Sequence, residues 1–355
     1  MEGMVTMDLS FYKGKKVLIT GHTGFKGTWI IRMLINAGAD IAGYSRCSKK
    51  DLSLFEMAEV KHKITHYKGD VRDLTHLKRV FAEFKPEIVF HLAAQPLVRD
   101  SYHKPVYTYE TNVMGTVNLL ECIRLTPSVK SVLNVTTDKV YHNNEWCWGY
   151  REDEALDGFD PYSNSKSCSE LVTHSYKNSF FTESRIAVST ARAGNVIGGG
   201  DFAKDRIIPD SVRAATTRTT IKVRNPYSIR PYQHVLEPLA VYLTIAARQY
   251  EDISFQGYYN VGPDDCDCIT TGNLVDLFCQ CWGDGVSWEN QSETCAPHEA
   301  NFLKLDCSRV KSVFNWKPRW HMKKCMEMVC RFEKVRLSGG NIPEEMDREI
   351  QEFLQ

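Results

Sequence analysis

A strand, a glycine-rich turn and a helix follow one another directly near the start of the chain. Residues 15–20 read K-K-V-L-I-T, an apolar run of strand type, and residues 21–27 read G-H-T-G-F-K-G. Residues 28–35 then show helical periodicity, and Gly38 follows as a typical helix-ending residue. This context predicts a dinucleotide-binding turn, in which glycines let the backbone approach a pyrophosphate and the helix N-terminus offers amide donors. The spacing is G-x-x-G-x-x-G, so a purely structural glycine turn is the alternative interpretation.

Further strand-like runs alternate with helical segments through the first half of the chain. They are residues 39–44, 86–95, 131–135 and 186–192, with a short run that begins at His66. This order predicts an α/β fold with a Rossmann-like, doubly wound parallel sheet. Ligands in such sheets bind outside the carboxyl ends of the strands. We therefore expect the strand-end residues to gather at one site: Gly21, Ala93, Thr137 and Asn195.

The alternation loosens after residue 192, which predicts a smaller C-terminal substrate domain interleaved with the first domain. We expect residues 1–192 and about 232–262 to form the dinucleotide-binding domain, and about 193–231 with 263–355 to form the second. Within these parts, residues 224–232 are predicted to be a loop and residues 234–249 a helix. Two long amphipathic helices are predicted at 110–125 and 161–179.

The end of the second strand bears on the choice of dinucleotide. A ribose-binding carboxylate is expected there in NAD-binding folds, but the residues are Ser45 and Arg46. An arginine at this place suits a 2′-phosphate, and it can equally stack on an adenine or remain a solvated surface residue. The sequence therefore leaves NAD and NADP both open.

A tyrosine and a lysine four residues apart follow the strand at 131–135. Asp160 and Pro161 give a helix-start signal, and Tyr162 and Lys166 would lie on one face of that helix. A tyrosine titrates near ~10, and a neighbouring ammonium stabilises its phenolate, so such a pair can take a proton from a sugar hydroxyl. Alone, this spacing more often belongs to an exposed tyrosine and lysine on one helix face.

Composition excludes several classes of function. The chain has 44 basic and 44 acidic residues, and no basic block that would suggest nucleic-acid binding. With no leader and no apolar run of membrane-spanning length, we expect a soluble, cytoplasmic protein with no membrane partner. The twelve cysteines are interpreted as free thiols. The pairs Cys266-x-Cys268 and Cys279-x-Cys281 lack the usual zinc-ligand spacing, so we predict no metal.

Five motifs together identify a resemblance. The motifs are G-H-T-G-F-K-G, H-L-A-A-Q-P, T-T-D-K-V-Y, P-Y-S-N-S-K and R-A-G-N-V-I-G-G-G-D. In this order and spacing the chain resembles the extended short-chain dehydrogenase/reductases that act on nucleotide sugars. Segments 146–152, 201–210 and 229–239 are similar to the subgroup of 4,6-dehydratases that act on CDP-glucose. The resemblance is strong from residue 15 to 239 and looser beyond.

The resemblance implies a redox-neutral dehydration of CDP-glucose to CDP-4-keto-6-deoxyglucose. NAD would take hydride from C4 of the glucosyl unit, water would leave across C5 and C6, and the hydride would return to C6. On this reading Tyr162 removes the C4 hydroxyl proton, Lys166 lowers the pKa of Tyr162 and binds the nicotinamide ribose, and Thr137 binds the C4 oxygen. Asp138 matches the acid that protonates the departing C6 hydroxyl. The related dTDP-glucose enzymes have a glutamate next as the C5 base, where this chain has Lys139, which acts either as a neutral base or as an electrostatic stabiliser of the enolate.

The resemblance also implies the remaining contacts. Cofactor contacts are expected at Gly21, Thr23, Gly24, Phe25, Lys26, Gly27, Ser45, Arg46, Asp70, Val71, Leu92, Ala93, Ala94, Gln95, Asn112, Thr136, Tyr162 and Lys166. Substrate contacts are expected at Gln95, Thr137, Asn195, Arg206, Arg230 and His234. By analogy with the family, the two long helices are expected to form a homodimer or a higher homo-oligomer. The alternatives are another nucleotide-sugar 4,6-dehydratase, a 4-epimerase, or a non-catalytic NAD(P)-sensing protein, and Asp138, Tyr162 and Lys166 argue against the last two.

Overall fold

A computed structural model describes residues 7–46, 53–292 and 301–355. Its strands are β1 (Lys16–Thr20), β2 (Asp40–Ser45), β3 (Thr65–Lys68), β4 (Ile88–His91), β5 (Ser131–Val135), β6 (Ala187–Ala193), β7 (Val196–Ile197), β8 (Ile221–Val223), β9 (Ile229–Pro231), β10 (Gln233–His234), β11 (Tyr258–Val261), β12 (Cys268–Thr270) and β13 (Trp288–Asn290). Its helices are α1 (Phe25–Asn36), α2 (Leu54–Met57), α3 (Leu74–Phe84), α4 (Val98–His103), α5 (Pro105–Tyr109), α6 (Gly115–Arg124), α7 (Pro161–Tyr176), α8 (Ile207–Thr216), α9 (Leu236–Glu251), α10 (Thr271–Trp282), α11 (Ser308–Phe314), α12 (Met322–Leu337) and α13 (Ile342–Leu354).

Seven parallel strands form the central sheet, in the order β3-β2-β1-β4-β5-β6-β11. Every residue of β4, β5 and β6 is buried, as expected for parallel strands covered by helices on both faces. The strand order reverses between β1 and β4, which is the switch point where such folds bind ligands. The predicted Rossmann-like fold is confirmed.

Two apolar clusters cover the two faces of the sheet. One includes side chains of α1, α9, α12 and α13, and the other includes those of α3 and α6. The helix predicted at 110–125 begins earlier, at Pro105, and continues through a π-helical segment, Glu110–Met114, into α6. The helix predicted at 161–179 ends its α-helical part at Tyr176 and continues as a π-helical turn, Lys177–Phe181.

The prediction of a loop over residues 224–232 is wrong in part. Residues Ile229–Pro231 form β9, which pairs antiparallel with β12. The partner strand begins at Cys268, far along the chain, so local sequence preference could not reveal the pairing. A second short pair, β8 with β13, also joins the segment after β6 to the C-terminal part.

Among the helices of the described residues, none combines the length and the apolar character needed to cross a membrane.

Candidate active site

The glycine turn between β1 and α1 lies against the end of β4. Gly21 has a φ of +73°, and a Cβ there would come within 2.7 Å of the backbone nitrogen of Ala93. At Gly27 a Cβ would lie 2.5 Å from the carbonyl oxygen of Gly21. Packing therefore requires glycine at both positions. Gly24 is exposed at the N-terminus of α1, and the backbone there is open to a pyrophosphate.

The residues predicted to hold the adenosine end lie at the ends of β2 and β3. The hydroxyl groups of Ser45 and Thr23 share a hydrogen bond of 2.8 Å. The Arg46 side chain is more than half exposed, and its Nε lies 4.0 Å from Oδ2 of Asp70. Val71, the next residue, is buried. The structure therefore brings Thr23, Ser45, Arg46 and Asp70 together beside the glycine turn.

The segment after β4 is tied to α7 by side-chain amides. The Gln95 backbone nitrogen donates to Oδ1 of Asn112 at 2.8 Å, and Asn112 Nδ2 donates to the Ser165 hydroxyl at 2.9 Å. The Gln95 amide donates to the Leu97 carbonyl oxygen and to the Thr108 hydroxyl, both at 3.0 Å. Gln95 and Asn112 thus position the chain, and the half-buried backbone of residues 92–94 remains beside the turn.

Tyr162 and Lys166 project from the first turns of α7 toward the end of β5. Oδ1 of Asp160 accepts hydrogen bonds from the backbone nitrogens of Tyr162 and Ser163, each at 3.0 Å, and so caps the helix. Nζ of Lys166 donates to the carbonyl oxygen of Val135 at 3.0 Å and is buried. The pair predicted from spacing therefore exists and lies at the expected strand end.

The electrostatics of the pair differ from the prediction. Burial raises the pKa of Tyr162 to about 12, and a hydrogen bond with Thr137 opposes this increase. Burial lowers the pKa of Lys166 to about 8. The expected ionisation of Tyr162 at neutral pH is not met in this arrangement, because Lys166 is bonded to Val135 and desolvation of the phenol is the larger effect.

A turn of 3-10 helix, Asp138–Val140, follows β5, and Thr137 is its N-cap. The Thr137 hydroxyl donates to Oδ1 of Asp138 at 2.9 Å, and Nζ of Lys139 lies 3.7 Å from the same oxygen. Asp138 is only 1% exposed, and its Oδ2 has no hydrogen-bond partner among the described residues. A buried carboxyl oxygen without a partner is suited to carrying and donating a proton.

Lys26 interacts electrostatically with this carboxyl group and with two further cations, Arg206 and Lys166. Burial lowers the pKa of Lys26 to about 8, and the charges of Arg206 and Lys166 contribute to the decrease, opposed by Asp138. Nη1 of Arg206 lies 2.8 Å from Oδ2 of Asp201. The cluster lies between the glycine turn and the start of α8, so it provides positive charge where a diphosphate could bind.

Two other predicted substrate residues, Asn195 and Arg230, follow β6 in the chain. Asn195 is partly exposed, and its carbonyl oxygen accepts a hydrogen bond from Gln233. Arg230 is 2% exposed and donates to the Ile229 carbonyl oxygen at 2.9 Å. Contacts of Asn195 and Arg230 with a substrate stay predictions.

The predicted contact of His234 with the substrate does not fit the structure. Its ring is fully buried between Trp29 and Trp320, and its Nε2 lies 3.7 Å from Oε2 of the equally buried Glu349. Burial lowers the pKa of His234 to about 3, so the ring is neutral. The structure places this residue in the core against the C-terminal helices, and a surface that could contact a substrate is absent.

Four residues at or behind the site were not predicted. Asp201 holds Arg206. Glu170 forms a buried ion pair with Arg192 at 2.9 Å, and its carboxylate accepts a hydrogen bond from the Thr136 hydroxyl. Tyr242 of α9 lies below Lys26, whose Nζ is 6.0 Å from the ring centroid. Asp201 stands in a quoted motif and could have been found, whereas Tyr242 lies in an ordinary apolar helix stretch with no signal.

All ten cysteines in the described ranges are free, as predicted for that part of the chain. The one group of side chains there with metal-ligand spacing is Cys266, Asp267 and His321. It involves neither Cys268 nor Cys279, and the bond from His321 to Asp267 at 2.8 Å already explains its geometry.

Known proteins are similar to this chain over nearly its whole length. A family model described as GDP-mannose 4,6 dehydratase matches residues 18–329. The chain belongs to this family. A relative from Salmonella typhimurium, named CDP-glucose 4,6-dehydratase, is 46% identical over 98% of this chain and 98% of its own length. The resemblance to a family of nucleotide-sugar enzymes is thereby confirmed.

Solved structures show the same fold at low sequence identity. UDP-glucose 4-epimerase of Thermotoga maritima has a TM-score of 0.80 at 19% identity, and covers 91% of this chain and 99% of its own. dTDP-glucose 4,6-dehydratase of Bacillus anthracis, solved in complex with NAD, has a TM-score of 0.77 at 18% identity, over 92% and 99% of the two chains. At these identities the likeness concerns the fold alone.

Proposed function

We propose that this family member is a CDP-glucose 4,6-dehydratase, which converts CDP-glucose to CDP-4-keto-6-deoxy-D-glucose and water. The full-length similarity to the Salmonella enzyme carries the proposal. The site supports it, because Asp138 places a partnerless carboxyl oxygen beside Thr137 and Tyr162. An elimination of water requires such an acid, and a 4-epimerisation does not.

The chain's residues fit NAD as the resident cofactor. The open backbone at Gly24 and the N-terminus of α1 suit a pyrophosphate, and the buried Lys166 suits the nicotinamide ribose. The adenosine end would meet Ser45, Arg46 and Asp70. Since Arg46 is already close to Asp70, and since that carboxylate would repel a 2′-phosphate, NAD is favoured over NADP. The further contacts proposed are Gly21, Thr23, Phe25, Lys26, Gly27, Val71, Leu92, Ala93, Ala94, Gln95, Asn112 and Thr136.

Tyr162 is the proposed acceptor of the C4 hydroxyl proton. Because the pKa of Tyr162 is raised, its phenolate must be stabilised when the proton leaves. Lys166 can stabilise the phenolate if its ammonium group leaves the Val135 carbonyl oxygen and bonds to the nicotinamide ribose and the phenolate oxygen. Thr137 binds the C4 oxygen. When bound, NAD supplies the acceptor for the C4 hydride and the donor that returns it to C6.

Asp138 and Lys139 are proposed to carry out the elimination. A ketone at C4 makes the C5 proton acidic, and Asp138 protonates the C6 hydroxyl so that it leaves as water. Lys139 lies 3.7 Å from Asp138 and is the group available near C5, either as a neutral base or as an ammonium that stabilises the enolate. Arg206, Arg230 and Asn195 are proposed to hold the diphosphate of the substrate.

A single incubation tests the proposed function. CDP-glucose with the protein and NAD should give a new C6 methyl signal in the proton NMR spectrum of the sugar. A galacto configuration would instead mean 4-epimerisation, and an unchanged spectrum would mean a binding role. UDP-, dTDP- and GDP-glucose in parallel incubations determine the nucleotide preference.

We also propose a homodimer formed by the helices at residues 105–124 and 161–181. Large apolar side chains are exposed on these helices: Val106, Met114, Leu171 and Phe180. The two helical segments pack against each other, so a partner could cover apolar side chains of both in one interface. Light scattering of the protein and of a Met114→Asp, Leu171→Asp variant tests the proposal, with the monomer expected only for the variant.

We also propose a division of the chain into two domains and a location in the cytoplasm. The division into residues 1–192 plus about 232–262 and residues 193–231 plus 263–355 is supported by the pairs β9–β12 and β8–β13, which join both parts of the second domain. Location in the cytoplasm is a prediction that fractionation of cells tests directly.

A further inference from the structure

A buried phenol that the proposed mechanism does not use lies below the active cleft. Tyr242 of α9 is 0% exposed, and its hydroxyl has no hydrogen-bond partner among the described residues. Burial of a hydroxyl without a partner opposes folding, so a phenylalanine would serve the core better at this position. A function of the hydroxyl group would explain why tyrosine occupies this position.

The register of α9 against β5 places Tyr242 at the end of the strand. Nε2 of Gln249 donates to the Val132 carbonyl oxygen at 3.0 Å. Tyr242 precedes Gln249 by seven positions, which is about 10 Å along a helix and about three residues along a strand. Helices that connect parallel strands run opposite to them, so Tyr242 lies beneath Val135, to which Lys166 is bonded.

Two other side chains place the ring of Tyr242 near the glycine turn and near the proposed base. Nζ of Lys26, in the turn, lies 6.0 Å from the Tyr242 ring centroid. Burial and, after it, the charge of Tyr162 raise the pKa of Tyr242 well above its ordinary value, so the phenol keeps its proton. The hydroxyl therefore keeps its proton and can donate a hydrogen bond near Lys26, Tyr162 and the end of β5.

No group within the described part of the chain accepts a hydrogen bond from this donor. The ammonium group of Lys26 donates hydrogen bonds and cannot accept them, and among the described residues the hydroxyl of Tyr162 forms no hydrogen bond with Tyr242. We propose that the Tyr242 hydroxyl donates a hydrogen bond to the carboxamide oxygen at the nicotinamide end of the bound dinucleotide, once the flexible Lys26 side chain moves aside. This inference rests on the proposed function, and it adds a binding residue to the cofactor site.

Titration calorimetry of the full-length protein, freed of nucleotide, tests the proposal with two ligands. NAD has the nicotinamide end, and ADP-ribose lacks the nicotinamide while it keeps everything else. We expect Tyr242→Phe to weaken NAD binding about 2- to 10-fold, which corresponds to one hydrogen bond, and to leave ADP-ribose binding within about twofold. The ligand-free variant should unfold at the same temperature as the unaltered protein or at a higher one.

Tyr12→Phe is the matched control. Tyr12 is also buried, but its hydroxyl donates to the carbonyl oxygen of Leu243 at 2.6 Å, one residue further along α9. Its loss should lower the unfolding temperature and leave NAD binding unchanged.

Equal NAD affinity of Tyr242→Phe and the unaltered protein would overturn the inference, as would an equal loss for NAD and ADP-ribose. Either result, obtained while the unaltered protein still forms the C6 methyl product, leaves the proposed function in place. Failure of the unaltered protein to bind NAD overturns the proposed function and this inference together.

Discussion

Nζ of Lys166 lies 3.0 Å from the carbonyl oxygen of Val135, the last residue of β5. This bond ties α7 to the central sheet at the point where the catalytic turn begins. It also holds a cation in a buried position, where charge is disfavoured. The lysine is therefore expected to oppose stability while it serves chemistry.

The first prediction concerns Lys166→Met. The pKa of Lys166 is lowered from 10.5 to about 8 in the fold, so the unfolded chain holds this proton more tightly. The charged lysine destabilises the fold below about pH 8, and the cost disappears as the pH rises toward 10.5. We expect the variant to lose turnover and to gain on the order of 1–3 kcal/mol in the free energy of unfolding at pH 7.

Urea titrations at pH 7 and pH 10 measure this gain, which should shrink at the higher pH. Lys323→Met on α12 is the control, because Lys323 is exposed and the change should stay within about 0.5 kcal/mol. A Lys166→Met protein that is less stable at pH 7 contradicts the prediction.

The second prediction concerns Tyr162→Phe. Removal of the hydroxyl deletes the proposed proton acceptor, and general acid–base groups contribute about 10²- to 10⁴-fold to rate. We expect turnover to fall by at least that factor while CDP-glucose binding, measured by calorimetry, is retained. Loss of binding together with turnover would show that the residue is structural.

The third prediction separates two steps at Asp138. Asp138→Asn keeps the shape of the buried side chain but cannot protonate the C6 hydroxyl. We expect the methyl product to fall about 10²- to 10⁴-fold, while the C5 hydrogen of CDP-glucose still exchanges with deuterated water. Proton NMR in deuterium oxide follows both signals. Parallel loss of exchange and product would place Asp138 before the elimination.

The fourth prediction distinguishes the two roles open to Lys139. Lys139→Met removes both the amine and its charge, and C5 exchange should stop in either case. Lys139→Arg keeps the charge but cannot act as a neutral base at ordinary pH. Exchange restored by arginine would assign electrostatic stabilisation, and exchange absent in both variants would assign the base. Exchange unchanged in Lys139→Met would exclude both roles.

Much of this site follows from short motifs, because backbone geometry demands particular residues there. Gly21 must be glycine, since its φ is positive and the end of β4 is in contact. Helical spacing similarly places Tyr162 and Lys166 on one face. Spacing does not tell what each side chain bonds to, and Lys166 reaches the Val135 carbonyl oxygen. The electrostatics of the pair could therefore not be deduced from sequence.

Other errors come from contacts between distant parts of the chain. His234 follows a substrate-like motif, yet its short strand turns the ring toward Glu349, over a hundred residues later. The strand Ile229–Pro231 exists only because it pairs with β12. The register of α9 on β5, on which the proposed role of Tyr242 depends, is likewise encoded by no local pattern.

The last prediction concerns Glu237, whose carboxylate is buried at the start of α9. Oε1 accepts hydrogen bonds from the backbone nitrogens of Arg319 and Trp320 at 2.8 and 2.7 Å, and Oε2 has no partner among the described residues. Burial raises the pKa of Glu237 from 4.5 to about 7, with a smaller contribution from Asp267. The folded protein therefore retains a proton that the unfolded chain releases.

Stability from this proton is fully present below about pH 4.5 and is lost as the pH rises to about 7. Glu237→Gln keeps an oxygen for both backbone donors but does not titrate, so its free energy of unfolding should lack this decrease of about 3 kcal/mol. Urea titrations at pH 5 and 7.5 compare the two proteins, with Glu327→Gln at an exposed position of α12 as control. The difference between Glu237→Gln and the unaltered protein should grow with pH in favour of the variant. Identical pH dependence would mean that Glu237 is ionised in the fold, held by its two backbone donors alone.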